Sequence, residues 1–229
     1  RLLSMHRLDA THDYGTITYR YDEAGRLISE TDAAGKTRSQ QYDAQGRLQT
    51  QVAVNGQVTA YEYDDEGRCI LTRTQDRVTR WLYNDCNQLA YQIDASGAVI
   101  AYDYDAQGHL LSKTAHAKGM ISDANDRTLT YYYDNAGRLQ AEINGEGSAT
   151  AYRYDAQGNL IEHIRYKNRL TGARTGNWEL DAPPIDRDGD IHDYSRYNAA
   201  GFKIADIDGE GYLTAYQYDA RGLLIERIA

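Results

Sequence analysis

The sequence predicts an all-β protein: tandem β-hairpins joined into a curved, open antiparallel sheet. Three observations predict it. A Tyr-Asp-x-x-Gly unit recurs nine times in 229 residues, a second turn signal falls midway between copies, and 21 residues are Tyr against one Phe and two Pro. Self-similarity at a fixed period is the mark of a repeat architecture, and tyrosine suits half-buried strands.

Seven copies keep all three defining residues. They are Tyr21, Asp22 and Gly25; Tyr42, Asp43 and Gly46; Tyr63, Asp64 and Gly67; Tyr104, Asp105 and Gly108; Tyr133, Asp134 and Gly137; Tyr154, Asp155 and Gly158; and Tyr218, Asp219 and Gly222. Two copies are degraded, at Tyr83-Asn84-Asp85-Cys86-Asn87 and Tyr197-Asn198-Ala199-Ala200-Gly201. Successive tyrosines lie 21, 21, 20, 21, 29, 21, 43 and 21 residues apart. The Asp side chain can accept a backbone N–H two residues on, which starts a type I turn. The Gly can take positive φ without a Cβ clash, and such a turn joins hairpin strands through a bulge. Asn87 stands in the Gly place of the fourth copy, and Asn is the next best residue there.

The second turn is exemplified by Asp32-Ala33-Ala34-Gly35, Asn55-Gly56, Asp94-Ala95-Ser96-Gly97 and Asp208-Gly209-Glu210-Gly211. Two turns per period leave two strands of about six residues, an ordinary strand length. A second Tyr two positions upstream (Tyr19, Tyr61, Tyr102, Tyr131, Tyr152, Tyr216) falls on the same face as the first. The expectation is that stacked hairpins align these rings into ladders.

The unbroken repeat predicts one elongated strip over 1–229. Residues 1–15 form a degraded repeat, and 113–126 and 167–190 are loops inserted at the mid-repeat turn, on one rim. A mean hydropathy of −0.73 argues against a thick core, so a single-layer or thinly covered sheet is expected. A net charge of −9 disfavours nucleic acid and anionic membranes as partners. No apolar run approaches a membrane span. Both ends read as cut from a longer chain.

Catalytic chemistry is hard to find. The six histidines, His12 among them, are scattered, and there is no Cys-x-x-Cys, no Gly-x-Ser-x-Gly turn and no Walker loop. The expectation is no enzyme. Asp186, Asp188 and Asp190 alternate around a Gly and could offer oxygens to calcium, or form a plain solvated loop. Trp178, in the longer insertion, is a candidate contact for a glycan or a surface protein. Cys69 and Cys86 occupy different places in the repeat, so stacking does not pair them directly.

The Tyr-Asp-x-x-Gly-Arg-Leu unit with its 21-residue period resembles the YD-repeat or Rhs family over about residues 16–229. That family includes bacterial Rhs and polymorphic toxins, the cocoon-forming components of Tc toxins, and teneurins. The resemblance implies a strip of hairpins spiralling into a hollow shell that sequesters a C-terminal toxic domain, in a secreted or surface bacterial protein. The partners it implies are the remaining repeats and that cargo. Carbohydrate binding is a further implication of the family. The family's Asp-Pro-x-Gly autoproteolytic motif does not occur here, so no cleavage residues carry over.

Overall fold

The structure, a computed structural model, describes residues 3–8 and 13–229. The expected degraded repeat at 1–15 falls partly on 1, 2 and 9–12, and His12 with it, outside the described residues. Two compact units are present, Arg1–Val99 and Ile100–Ala229.

The first unit carries β1 (Ser4–Leu8), β2 (Asp13–Tyr21), β3 (Leu27–Thr31), β4 (Thr37–Tyr42), β5 (Leu48–Val52), β6 (Val58–Tyr63), β7 (Cys69–Thr74), β8 (Arg77–Tyr83) and β9 (Leu89–Ile93). Each strand pairs antiparallel with the next in sequence. The second unit carries β10 (Val99–Tyr104), β11 (Leu110–His116), β12 (Arg127–Tyr133), β13 (Leu139–Ile143), β14 (Ala149–Tyr154), β15 (Leu160–Arg165), β16 (Ile191–Tyr197), β17 (Lys203–Ile207), β18 (Leu213–Tyr218) and β19 (Leu224–Ile228). From β11 onward the same meander holds. The chain is all-β, and among the described residues helix is confined to α1 (Trp178–Asp181).

The turns follow their chemistry. In the second copy the Asp43 carboxylate accepts the backbone N–H of Gln45 and of Arg47, and the Gly46 N–H donates to the Asp43 carbonyl. Gly46 takes φ +85°, and Asn87 takes φ +63° at the same place in its copy. The extra residue disturbs the ladder beside the tyrosine, as between Gln41 and Tyr42, where a bulge absorbs it. The mid-repeat turn has the same bonds without the bulge: Asp32 N–H donates to the Lys36 carbonyl, and Gly35 N–H to the Asp32 carbonyl.

Burial is uneven. Among the described residues of the first unit only Val99, its last residue and the first of β10, is buried. In the second unit one face of β12–β15 is dry. Tyr132, Ala141, Ile143, Ala149, Ala151 and Ile164 form a buried cluster, covered by Tyr166, Leu170 and Trp178. In the second unit the long insertion therefore covers one face of the sheet over β12–β15.

Candidate functional site

Two arrangements could carry function: a contact repeated between copies, and the cover over β12–β15.

The repeated contact begins at the residue after each Gly. Strand register places it opposite the Tyr of the following copy: extending Ser29↔Ser39 by three residues sets Tyr42 against Arg26. The Arg26 Nε donates to the Asp22 carboxylate at 2.6 Å, and its guanidinium carbon lies 4.8 Å from the centre of the Tyr42 ring. Arg47 does the same between Asp43 and Tyr63, at 2.7 and 4.7 Å. Arg68 joins Asp64 to Tyr83 at 2.6 and 4.8 Å, and Arg138 joins Asp134 to Tyr154 at 2.7 and 4.7 Å. In two copies without Arg another flat group substitutes. His109 stacks on Tyr133 at 4.8 Å, and Phe202 on Tyr218 at 5.0 Å.

The clasped tyrosine is fixed at its other end. The Tyr42, Tyr63, Tyr154 and Tyr218 hydroxyls donate to the carbonyls of Leu27, Leu48, Leu139 and Lys203, at 2.8–3.0 Å. The Arg26 backbone amide, with its side chain, holds the Asp22 carboxyl below the usual carboxylate range.

The expected ladder of tyrosines is therefore not how these rings pack. Successive YD tyrosines lie two strands apart, roughly 9.6 Å, which is too far for rings to touch. The residue after Gly, on the intervening strand, fills that gap. Arg138→Ala is expected to cost about 0.5–1 kcal/mol through the lost cation–π contact. Tyr154→Phe should cost about 1 kcal/mol through the lost hydrogen bond. Urea unfolding of the two variants measures both.

The cover is the strap formed by residues 166–190. The Tyr166 and Leu170 N–H groups donate to the Ala149 and Gly147 carbonyls at 3.1 and 2.9 Å. Gly147 takes φ +83°, and a Cβ there would lie 2.1 Å from the Leu170 carbonyl oxygen, so the strap crosses where only glycine fits. Arg174 reaches the Thr128 carbonyl at 3.2 Å, and also the Thr130 hydroxyl and the Asn144 carbonyl. Trp178 lies against Tyr132 and Tyr166, with ring centres 5.6 and 5.8 Å apart.

Asp181 is the strap's buried polar centre, 1% exposed. Its carboxylate accepts the Thr175 N–H at 2.9 Å, the Thr175 hydroxyl at 3.0 Å, the Gly176 N–H at 3.1 Å and the Tyr132 hydroxyl at 2.8 Å. Burial alone would raise this carboxyl. The Thr175 and Gly176 donors and the Tyr132 hydroxyl outweigh it and hold the group below the usual range. Burial, then Asp181, pushes the Tyr132 phenol far up.

The family described as RHS Repeat matches residues 10–37, 21–55, 42–78 and 133–171. Those residues carry RHS repeats. The chain's fold matches solved chains at low identity. The crystal structure of TcdB2-TccC3 aligns with a TM-score of 0.57 and 15% identity, over 93% of this chain and 14% of that one. The structure of TcdB2-TccC3 without its hypervariable C-terminal region aligns at 0.56 and 15%, again over 93% and 14%. The chain thus spans about a seventh of the length of these solved chains. No curated protein sequence matches it.

The residues singled out in the sequence are placed as follows. The seven defining glycines, Gly25, Gly46, Gly67, Gly108, Gly137, Gly158 and Gly222, all take positive φ, and the Asp of each copy accepts turn amides. Trp178 packs inward on the strap. Asp186 pairs with the Lys167 ammonium at 2.9 Å, Asp190 accepts the Lys167 and Asp186 N–H groups, and Asp188 is exposed. Among the described residues no cluster of His, Cys, Asp and Glu has metal-holding geometry. Cys69 and Cys86 are free thiols, the first half-buried and the second exposed. No helix of the described residues is long and apolar enough to cross a membrane.

Proposed function

We propose that this chain is wall: a structural segment of a large secreted or surface bacterial RHS-repeat protein, contributing to a shell that encloses or delivers a polypeptide toxin. One observation carries the reading. Four copies grip the tyrosine of the next through their own Asp and Arg, and two more do so through His109 and Phe202, so the contact recurs from hairpin to hairpin and in these copies needs no ligand to complete it. That is the economy of a repeat scaffold, in which neighbour contacts supply the stability. The likeness in fold to TcdB2-TccC3 supports the reading. So does the variable C-terminal region named for that protein, since a shell with interchangeable contents would carry one. The reading assigns this segment no catalytic step.

The test is limited proteolysis of the full-length gene product. A wall predicts that non-repeat sequence survives protease while the repeats are intact, and becomes cleavable when Arg47, Arg68 and Arg138 are replaced together by Ala. Non-repeat sequence that is cut at once in the intact protein, together with saturable glycan binding to this segment, would point to an adhesin instead.

A further inference from the structure

We propose that the seventh arrangement of this contact, between Asn159 and Tyr197, is an open seat for the guanidinium of an arginine supplied by another polypeptide. Register carries the argument first. Extending Glu162↔Tyr194 by three residues sets Tyr197 opposite Asn159, as Tyr154 is set opposite Arg138 by Ala141↔Ala151. The tyrosine is in place, but the group that should cover it is cut short. The Asn159 Nδ2 donates to the Asp155 carboxylate at 2.9 Å, which is where Arg138 puts its Nε on Asp134. The rest of the guanidinium, the part that lies over the ring, has no counterpart.

Charge carries it second. Where the turn begins with Asp and a tyrosine follows, the covering group is basic: Arg26, Arg47, Arg68, His109 and Arg138. Where it begins with Asn198, the cover is the neutral Phe202. Asp155 breaks this rule, since it faces an amide.

Space carries it third. A cavity of about 680 Å³ lies here, with Asp155, Ile161, Ser195, Arg196, Tyr197 and Ile204 in its lining. Among the described residues nothing hydrogen-bonds the Tyr197 hydroxyl, whereas the Tyr154 hydroxyl is held by Leu139. The nearby cations do not fill the seat. Lys203 stands 6.0 Å from the Tyr197 ring centre and is drawn to Asp206 at 3.0 Å. Arg196 forms no ion pair among the described residues. A planar cation suits a carboxylate beside an aromatic face, and guanidinium fits it better than a strongly hydrated ammonium.

The test uses this chain and N-acetyl-arginine amide as the probe, followed by backbone NMR shifts. The expected result is a saturable shift centred on Asn159 and Tyr197, about fivefold or more weaker with N-acetyl-lysine amide. Asn159→Arg fills the seat from within and should abolish the response while leaving the fold intact. Asp155→Asn should also abolish it and keep the turn, since Asn84 and Asn198 already make that turn. An equal response to the lysine amide, a response that survives Asn159→Arg, or no saturable response in the folded wild-type chain overturns the proposal.

Discussion

Asp181→Ala is expected to open the strap. The substitution strands the Thr175 N–H and hydroxyl, the Gly176 N–H and the Tyr132 hydroxyl, all of which now end on one carboxylate. The Tyr132 hydroxyl belongs to a buried residue, and leaving it without a partner costs about 1–3 kcal/mol; Thr175 and Gly176 are exposed, and their donors lose a bond to a charged group. The strap has a cheaper way out, which is to lift off and return the donors to water. The measured outcome should be rapid protease cutting within residues 167–190 while the strands remain folded. In a Trp81→Phe background, Trp178 fluorescence should shift red. Asp181→Asn, which keeps one acceptor oxygen, should give a smaller effect of the same kind.

The same carboxyl makes the strap acid-sensitive. Its folded pKa is depressed, so its contribution is fully present above the unfolded value of about 3.9. That contribution is lost as pH falls below this and through the lower folded value. Strap cutting by an acid-active protease should rise steeply below about pH 4 in the wild type, and should be pH-independent there in Asp181→Asn.

Ile143→Ala is the second large effect, at about 2–5 kcal/mol, the range for emptying a buried aliphatic site. Ile143 is 0% exposed because the strap covers its face. Ile207 stands at the same repeat position, ten residues after its tyrosine, but its face has no strap and it is only half-buried. Ile207→Ala should therefore cost less than half as much. Equal costs in urea unfolding would mean that the strap does not create the dry core.

The contrast between those two isoleucines shows what the sequence can and cannot announce. Turn chemistry is local, so Asp43, Gly46 and even Asn87 could be read directly: each acts on amides or on a φ angle within four residues. Strand positions follow from the turns. The clasp of Arg on Tyr is harder. Arg138 and Tyr154 are 16 residues apart, and their meeting depends on register; the recurring Arg was visible in the motif, but its target was not. The strap was visible only as an interruption. Trp178 read as an outward contact because a lone tryptophan in a polar loop carries no sign of which way it turns. Asp181 has its partner Tyr132 49 residues away, and nothing near it in the sequence marks it as buried. Asn159 carries no local mark either. It becomes notable only when its neighbours are known to fill the same place with a cation.

The wall reading rests finally on whether the two faces of the sheet differ in the intact protein. Arg38 and Gln41 lie three residues apart on β4, so they point to opposite faces, and both are exposed in this segment. Single cysteines at these positions, in full-length protein with Cys69 and Cys86 replaced by Ser, can be reacted with a thiol reagent too large to pass the sheet. A wall predicts that one position labels freely and the other only after the clasps are broken. Equal, rapid labelling at both positions in the intact protein would contradict it.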